Sequence, residues 1–343
     1  MNAEARRITF PTVRSEPAPG RPGTDAGGAN VALDLTGAII AIRDNEPVVL
    51  IIGGKGNDDA LPSGRFVPGS HASLDSGLRE CVRQKTALEL GYVEQLCTFG
   101  GSGYGTGVGN DNSVSIGYVA LVLGGDQLPA GATTSCTWRS VYDYFPWEDW
   151  RHDRPRVLRD VIEPHLKAWA AATTSESYGD SLQDRRERVN ISFGIDGARW
   201  DDERVLDRYE LLCEAGALTN EPAHHAGVDG RSLGQAMDAE HRRILAAAIG
   251  RLRAKIRYRP VVFELMQAEF TLFDLQKTVE AILGPNLHKQ NFRRLVESVG
   301  LVEPTGEIRT HTGGRPARLY RFRREVLLER PAPGVRVKAV ARG

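Results

Sequence analysis

Apolar residues return every three or four positions at Leu272, Leu275, Val279, Ile282 and Leu283. That spacing gathers them on one face of a helix. Thr271 supplies an N-cap and Gly284 with Pro285 a stop, so a helix is expected over residues 272–283. A second set, Phe292, Leu295, Val296 and Val299, predicts another helix, opened by Asn286 and closed by Gly300. Its remaining surface carries Lys289, Gln290, Asn291, Arg293 and Arg294. Residues 301–304 and 317–322 then read as strands around a tip at 306–314, and Arg309, Arg315, Arg318 and Arg321 make this hairpin basic. Core helix, short turn, polar helix and basic hairpin, in that order, predict a winged helix-turn-helix, a module whose second helix enters the DNA major groove. The residues expected to face DNA are Thr271, His288, Lys289, Gln290, Asn291, Arg293, Arg294, Arg309, Arg315 and Arg318.

Upstream the period changes. Residues 31–42 and 47–52 read as strands around a turn at 43–46, followed by a helix at 74–88 and strands at 92–99 and 113–123. The intervening loop holds Gly101, Gly103, Gly105, Gly107 and Gly109. Backbone N–H groups of such a loop can cradle phosphate, but no helix start or Lys-Ser/Thr signature follows, which favours a hairpin insertion. Trp138, Tyr142, Tyr144, Phe145, Trp147 and Trp150 concentrate aromatic area, as at a core edge or a dimer interface. Further helices are expected at 157–171, from an Asp201 cap to Leu212 with Gly216 as stop, and at 237–257. The domain plan is a disordered tail at 1–27, a ligand-sensing domain at 28–171, a linker and helical connector at 172–236, a DNA-binding domain at 237–330 and a basic tail at 331–343.

Charge strengthens the C-terminal reading. The chain of 343 residues has zero formal net charge, yet residues 251–343 hold nineteen Lys and Arg against nine Asp and Glu. Segregated positive charge supplies salt-sensitive affinity for nucleic acid; the plainer alternative is a solvated face. No apolar run approaches the roughly twenty residues that cross a bilayer, and a cytoplasmic location is expected. Cys81, Cys97, Cys136 and Cys213 lack metal-like spacing and read as reduced thiols; His224 and His225 lack a ligand set around them.

Residues 61–91 contain Leu61-Pro62-Ser63-Gly64-Arg65, then Leu78-Arg79-Glu80-Cys81, and end at Leu90-Gly91. This segment resembles a Nudix box, which gathers divalent metal on a diphosphate substrate through an Arg-Glu pair and a following Glu-Glu pair. Matching Arg79 and Glu80 to the first pair puts Arg83 and Gln84 at the second, His71 at an upstream glutamate and Thr86 at a glycine. Hard cations need carboxylate oxygens, so the resemblance implies lost metal chemistry. Neither a catalytic residue nor a metal site is assigned. Arg65, Arg79, Glu80, Arg83 and Lys85 form the expected ligand-binding set, with guanidinium and ammonium groups meeting phosphate directly; a solvated helix face is the alternative.

Longer strings carry a closer likeness. Gly91-Tyr92-Val93-Glu94-Gln95-Leu96-Cys97, Val114-Ser115-Ile116-Gly117-Tyr118, Arg251-Leu252-Arg253-Ala254-Lys255, Tyr258-Arg259-Pro260-Val261-Val262, Asn291-Phe292-Arg293-Arg294 and Gly314-Arg315-Pro316-Ala317-Arg318 resemble Nudix-related transcriptional regulators of NAD metabolism. The likeness covers most of residues 28–330 and is nearest the NadQ type, with NrtR-type repressors as relatives. It implies an α+β chain with a Nudix-like α/β/α sandwich, a helical connector and a C-terminal winged helix-turn-helix. By the same resemblance the chain is a homodimeric repressor of NAD biosynthesis genes on double-stranded operator DNA. No cofactor is required, and the effector, which weakens DNA binding, is ATP, ADP-ribose, NAD or a related adenine nucleotide. The alternatives are a Nudix hydrolase of ADP-ribose or a related nucleoside diphosphate with an accessory nucleic-acid-binding domain, and an interaction scaffold with a basic domain.

Overall fold

A computed structural model describes residues 31–53, 59–100, 113–124, 131–172, 182–218, 233–310, 316–329 and 334–335. The expected tail at 1–27, the glycines of the 101–109 loop, His224, His225 and Arg315 lie outside these residues.

A mixed sheet organises the first half. Strands β1 (Ala32–Arg43) and β2 (Glu46–Gly53) form a hairpin whose turn residues Asp44 and Asn45 both have positive φ, 49° and 62°. Polar residues tolerate that left-handed geometry, and its twist matches the strands. With β3 (Asp59–Ala60), β4 (Ser63–Arg65), β5 (Tyr92–Gly100), β6 (Ser113–Leu121) and β7 (Cys136–Ser140), the order is β3-β2-β1-β6-β5, β4 adding to β1 and β7 to β2. The β1–β6 pair is parallel.

Strand side chains alternate between faces, so the apolar runs of β1, β2 and β6 serve two cores. Leu35, Ile39, Ala41, Leu50, Ile116 and Ala120 meet Leu78 and Val82 of helix α1 (Leu74–Thr86). Ala38, Ile40, Val49, Ile51, Val119 and Leu121 join the larger core, which includes Tyr144, Phe145, Trp147, Ile244 and Leu252. The aromatic segment is thus a buried junction, with Tyr144, Phe145 and Trp147 fully inside.

The second helical layer changes the expected domain plan. Helix α6 (Ala239–Tyr258), capped by Asp238, packs on β1, β5 and β6 and also on the helix-turn-helix. Gly117 permits the approach: a Cβ there would stand 3.1 Å from the Ile244 side chain. Residues 237–258, expected within the DNA-binding domain, therefore also complete the sandwich. Part of the expected basic tail docks here, since Val335 is fully buried and its N–H donates to Ile256 O at 2.8 Å.

Other elements depart from expectation for local reasons. After helix α2 (Val141–Tyr144), the helix expected at 157–171 opens with a wide turn at Leu158–Ile162 before α3 (Glu163–Ala171). Pro164 lacks the N–H that would close an ordinary turn there. Helix α4 (Leu182–Phe193) was not expected from a sequence so rich in charge. Asp201 does not cap α5 (Val205–Glu214): Arg204 precedes that helix, and Asp201 accepts from Glu203 N at 3.0 Å in a separate turn. Among the described residues no helix is long and apolar enough to cross a membrane.

Candidate nucleic-acid interface and ligand face

Helix α7 (Leu272–Leu283) starts as its sequence requires. The Thr271 hydroxyl accepts from Asp274 N at 3.1 Å, and the Asp274 carboxylate accepts from Thr271 N at 2.9 Å. Thr271 is only 5% exposed. Its hydroxyl is committed to the cap, which removes it from the expected DNA-facing set. Thr271→Ala is expected to lower stability by about 1 kcal/mol, as read by urea unfolding, while leaving the salt dependence of DNA binding intact.

Helix α8 (Lys289–Val299) begins two residues later than the Asn286 cap predicted; His288 precedes it and makes no side-chain cap. Phe292 and Val296 seal the inner face. His288, Lys289, Gln290, Asn291, Arg293 and Arg294 are exposed. Among the described residues no hydrogen bond or ion pair engages the side chains of Lys289, Arg293 or Arg294. Gly300, at φ +64°, closes the helix.

The wing comprises β8 (Val302–Arg309) and β9 (Ala317–Phe322), longer on its first side than expected. Gly306 has φ +90°, at a break in register between Pro304 and Ile308. Phe270 and Tyr320 exchange backbone hydrogen bonds of 3.0 and 2.8 Å, and Phe263 stacks on Phe322 at 4.4 Å, so the hairpin is fixed to the helices. Arg318 is exposed and has no partner among the described residues. Arg309 differs: it pairs with Asp274 at 2.9 Å. Arg321 pairs with Glu303 at 2.6 Å. Part of the basic excess is therefore spent inside the domain, while Lys289, Arg293 and Arg294 of α8 and Arg318 of the wing have no ion-pair partner among the described residues.

Helix α1 carries most of the expected ligand set. The Ser73 and Ser76 hydroxyls form its capping box. Arg79 donates to Asp75 at 2.8 Å and to the carbonyls of Leu90 and Gly91 at 2.5 and 3.2 Å, tying down the chain after the helix. Arg83 donates to both Glu80 oxygens and Gln84 to one, at 2.6 Å. The Arg83 hydrogen bond, then that from Gln84, hold the Glu80 carboxyl below its ordinary range. Lys85 donates to Ser63 O, and Arg65 lies 3.5 Å from Asp34. The five residues share one region, each with an internal partner.

That donor set does not fit Mg2+. Its carboxylate is Glu80, already ringed by Arg83 and Gln84, and a cation must displace positive charge to reach it. Among the described residues Asp201, Asp202 and Glu203 come close enough to share an ion, but Arg257 donates to both Asp202 and Glu203.

Residues 262–322 match the family model of the NrtR DNA-binding winged helix domain. The C-terminal domain is a winged helix similar to that of NrtR proteins. A curated relative, the ADPR responsive transcriptional repressor NtrR of Acinetobacter baylyi, is 45% identical over 83 residues, 24% of this chain. The match spans about a third of that relative's length, 33%. The fold follows that of Shewanella oneidensis NrtR complexed with a 27mer DNA: TM-score 0.51 at 19% identity, covering 86% of this chain and 94% of that one. A second crystal structure of Shewanella oneidensis NrtR gives TM-score 0.50 at 20% identity, over 86% and 95% of the two chains. The family model covers the winged helix alone, and the two structures show a shared fold over most of the chain; the sequence likeness is nearest the NadQ type, with NrtR-type repressors as more distant relatives.

Sequence reasoning missed what joins the NrtR-type winged helix to the rest. Glu148, 1% exposed, accepts from Arg208 of α5 at 2.6 and 2.9 Å and from Arg253 of α6 at 2.5 Å. Burial alone would raise its pKa; the two guanidiniums reverse this and keep it ionised. Arg253 also donates to Ile282 O at the end of α7, at 2.8 Å, and Arg208 donates to Ser192 O and Asp201 O. One ionic cluster therefore binds the segment after the sheet, the connector, α6 and α7. The available signal was an arginine on an apolar stripe: Arg253 lies between Leu252 and Ile256, and Arg208 beside Val205 and Tyr209.

Proposed function

We propose that this chain is a cytoplasmic, homodimeric transcriptional repressor of NAD biosynthesis genes. Its Nudix-like domain senses ADP-ribose or a related adenine nucleotide without cleaving it, and ligand weakens operator binding. The observation that carries the reading is α8 itself: a helix in an NrtR-type winged helix presenting Lys289, Arg293 and Arg294 with no partner among the described residues. Two copies related by a two-fold axis would place two such helices in successive major-groove half-sites. The Acinetobacter relative, named for its response to ADPR, supports the choice of effector.

The α1 geometry suits binding without hydrolysis. The exposed Arg83–Glu80 pair is screened by solvent and holds little, so Arg83 can turn to a diphosphate at small cost, whereas Arg79 is also held by the Leu90 and Gly91 carbonyls. Charge-assisted contacts from guanidinium then replace the counter-charge that metal supplies in hydrolysing relatives. The full-length chain is expected to bind ADP-ribose in calorimetry with or without Mg2+, and to release no AMP over hours. Metal-dependent cleavage at enzymic rates would make the chain a Nudix hydrolase instead.

A further inference from the structure

The turn between α7 and α8 is held from two sides. On the α7 side Glu280, 4% exposed, accepts from Leu287 N at 2.9 Å and from Gln276 Nε2 at 2.8 Å; Gln276 Nε2 also donates to Leu287 O at 3.0 Å. Both backbone polar groups of Leu287 are thus satisfied by α7 side chains. On the other side lies the strap at 148–151, which follows the sheet. Gly284 has φ +96°, and a Cβ there would stand 3.0 Å from Glu148 O and 3.4 Å from Trp150 N. Asn286 Nδ2 donates to Arg151 O.

The strap is itself fixed to the sheet. Arg151 donates to Asp149 at 2.8 Å and to Glu46, on the β1–β2 hairpin, at 2.7 Å. Its guanidinium sits 4.7 Å from the centre of the Tyr142 ring, whose hydroxyl donates to Ala281 O at 2.7 Å. A continuous polar path therefore runs from the β1–β2 hairpin through Arg151 to Asn286, two residues before His288 and the start of α8. Polar groups with fixed partners on both sides leave the turn little freedom of its own.

We infer that Glu46, Arg151 and Asn286 form a relay by which the Nudix-like sheet sets the presentation of α8, with Asn286 and Glu280 as positioning residues for DNA binding. The inference rests on the DNA-binding reading above and adds the route by which the two halves communicate. A shift of the hairpin moves the Arg151 carbonyl, and Asn286 carries that shift to the N-terminal end of the recognition helix.

The test uses the full-length chain and a duplex that the wild type enriches from a randomised pool. Asn286→Ala and Glu46→Ala are each expected to weaken binding about threefold to tenfold, the loss of one hydrogen bond or exposed charge-assisted interaction. Neither removes a group offered to phosphate, so the salt slope should stay at its wild-type value. Members of one relay are not additive, and the double variant should bind about as well as the weaker single. Asn286→Asp, which keeps size but sets a carboxylate against the Arg151 carbonyl, should be at least as defective as Ala. Wild-type affinity for Glu46→Ala in a chain that melts normally, or strict additivity of the pair, overturns the relay alone. A wild-type chain that enriches no duplex overturns the DNA-binding reading, and the relay's role with it.

Discussion

Replacing Arg293 and Arg294 together with Ala is expected to weaken operator binding by about 2 to 6 kcal/mol, since a specific side-chain contact to a base contributes about 1 to 3. That is a loss of roughly one and a half to four decades in affinity. Both side chains are exposed and have no partner among the described residues, and the helix is anchored by Phe292 and Val296 on its other face. Folding should survive, with an unchanged thermal midpoint. If either arginine meets phosphate, the plot of log affinity against log salt also flattens, by about 0.9 for each phosphate no longer neutralised. Arg318→Ala should flatten it by a similar step. Fluorescence anisotropy across a salt series measures both effects, and unchanged affinity in a folded double variant would remove α8 from the interface.

The second large effect concerns stability. Glu148→Ala leaves Arg208 and Arg253, both fully buried, facing each other without a counter-charge. Breaking a buried ionic cluster by removing one partner costs about 3 to 5 kcal/mol, a large share of the roughly 5 to 15 that hold a domain folded. Glu148→Gln, which keeps the shape and loses the charge, should fall in the same direction. Because Arg253 also holds Ile282 O, the loss should reach α7 and appear in hydrogen exchange at the end of that helix. Urea midpoints supply the energies; a Glu148→Ala chain within about 0.5 kcal/mol of wild type would show the cluster contributes nothing.

The sequence was most legible where local rules decide the outcome. Thr271, Asp274 and Gly284 determine how α7 starts and stops within a few residues, and Gly300 likewise ends α8. Asn286 misled because its place in the turn is set by a partner far away in sequence: its Nδ2 donates to the Arg151 carbonyl, and α8 starts at Lys289 with His288 at the cap position. For α6 the apolar period gave the right length and the wrong neighbour: Ile244 faces Gly117 of the sheet, and periodicity says which residues are buried without saying against what. Helix α4 was invisible because charged residues outnumber the few it buries, Val189 and Phe193 among them. The basic residues of α1 were identified by type, yet Arg79 spends its donors on Asp75, Leu90 and Gly91, a choice set by a loop eleven and twelve residues away.

The most direct test of the sensor account is ADP-ribose affinity measured twice by calorimetry, on the free full-length chain and on the same chain saturated with its enriched duplex. Linkage makes the two binding events reciprocal: a ligand that releases DNA must bind more weakly when DNA is present. The account predicts affinity lower on the complex by about 5- to 150-fold, a coupling of roughly 1 to 3 kcal/mol. Equal affinity in the two titrations would contradict it.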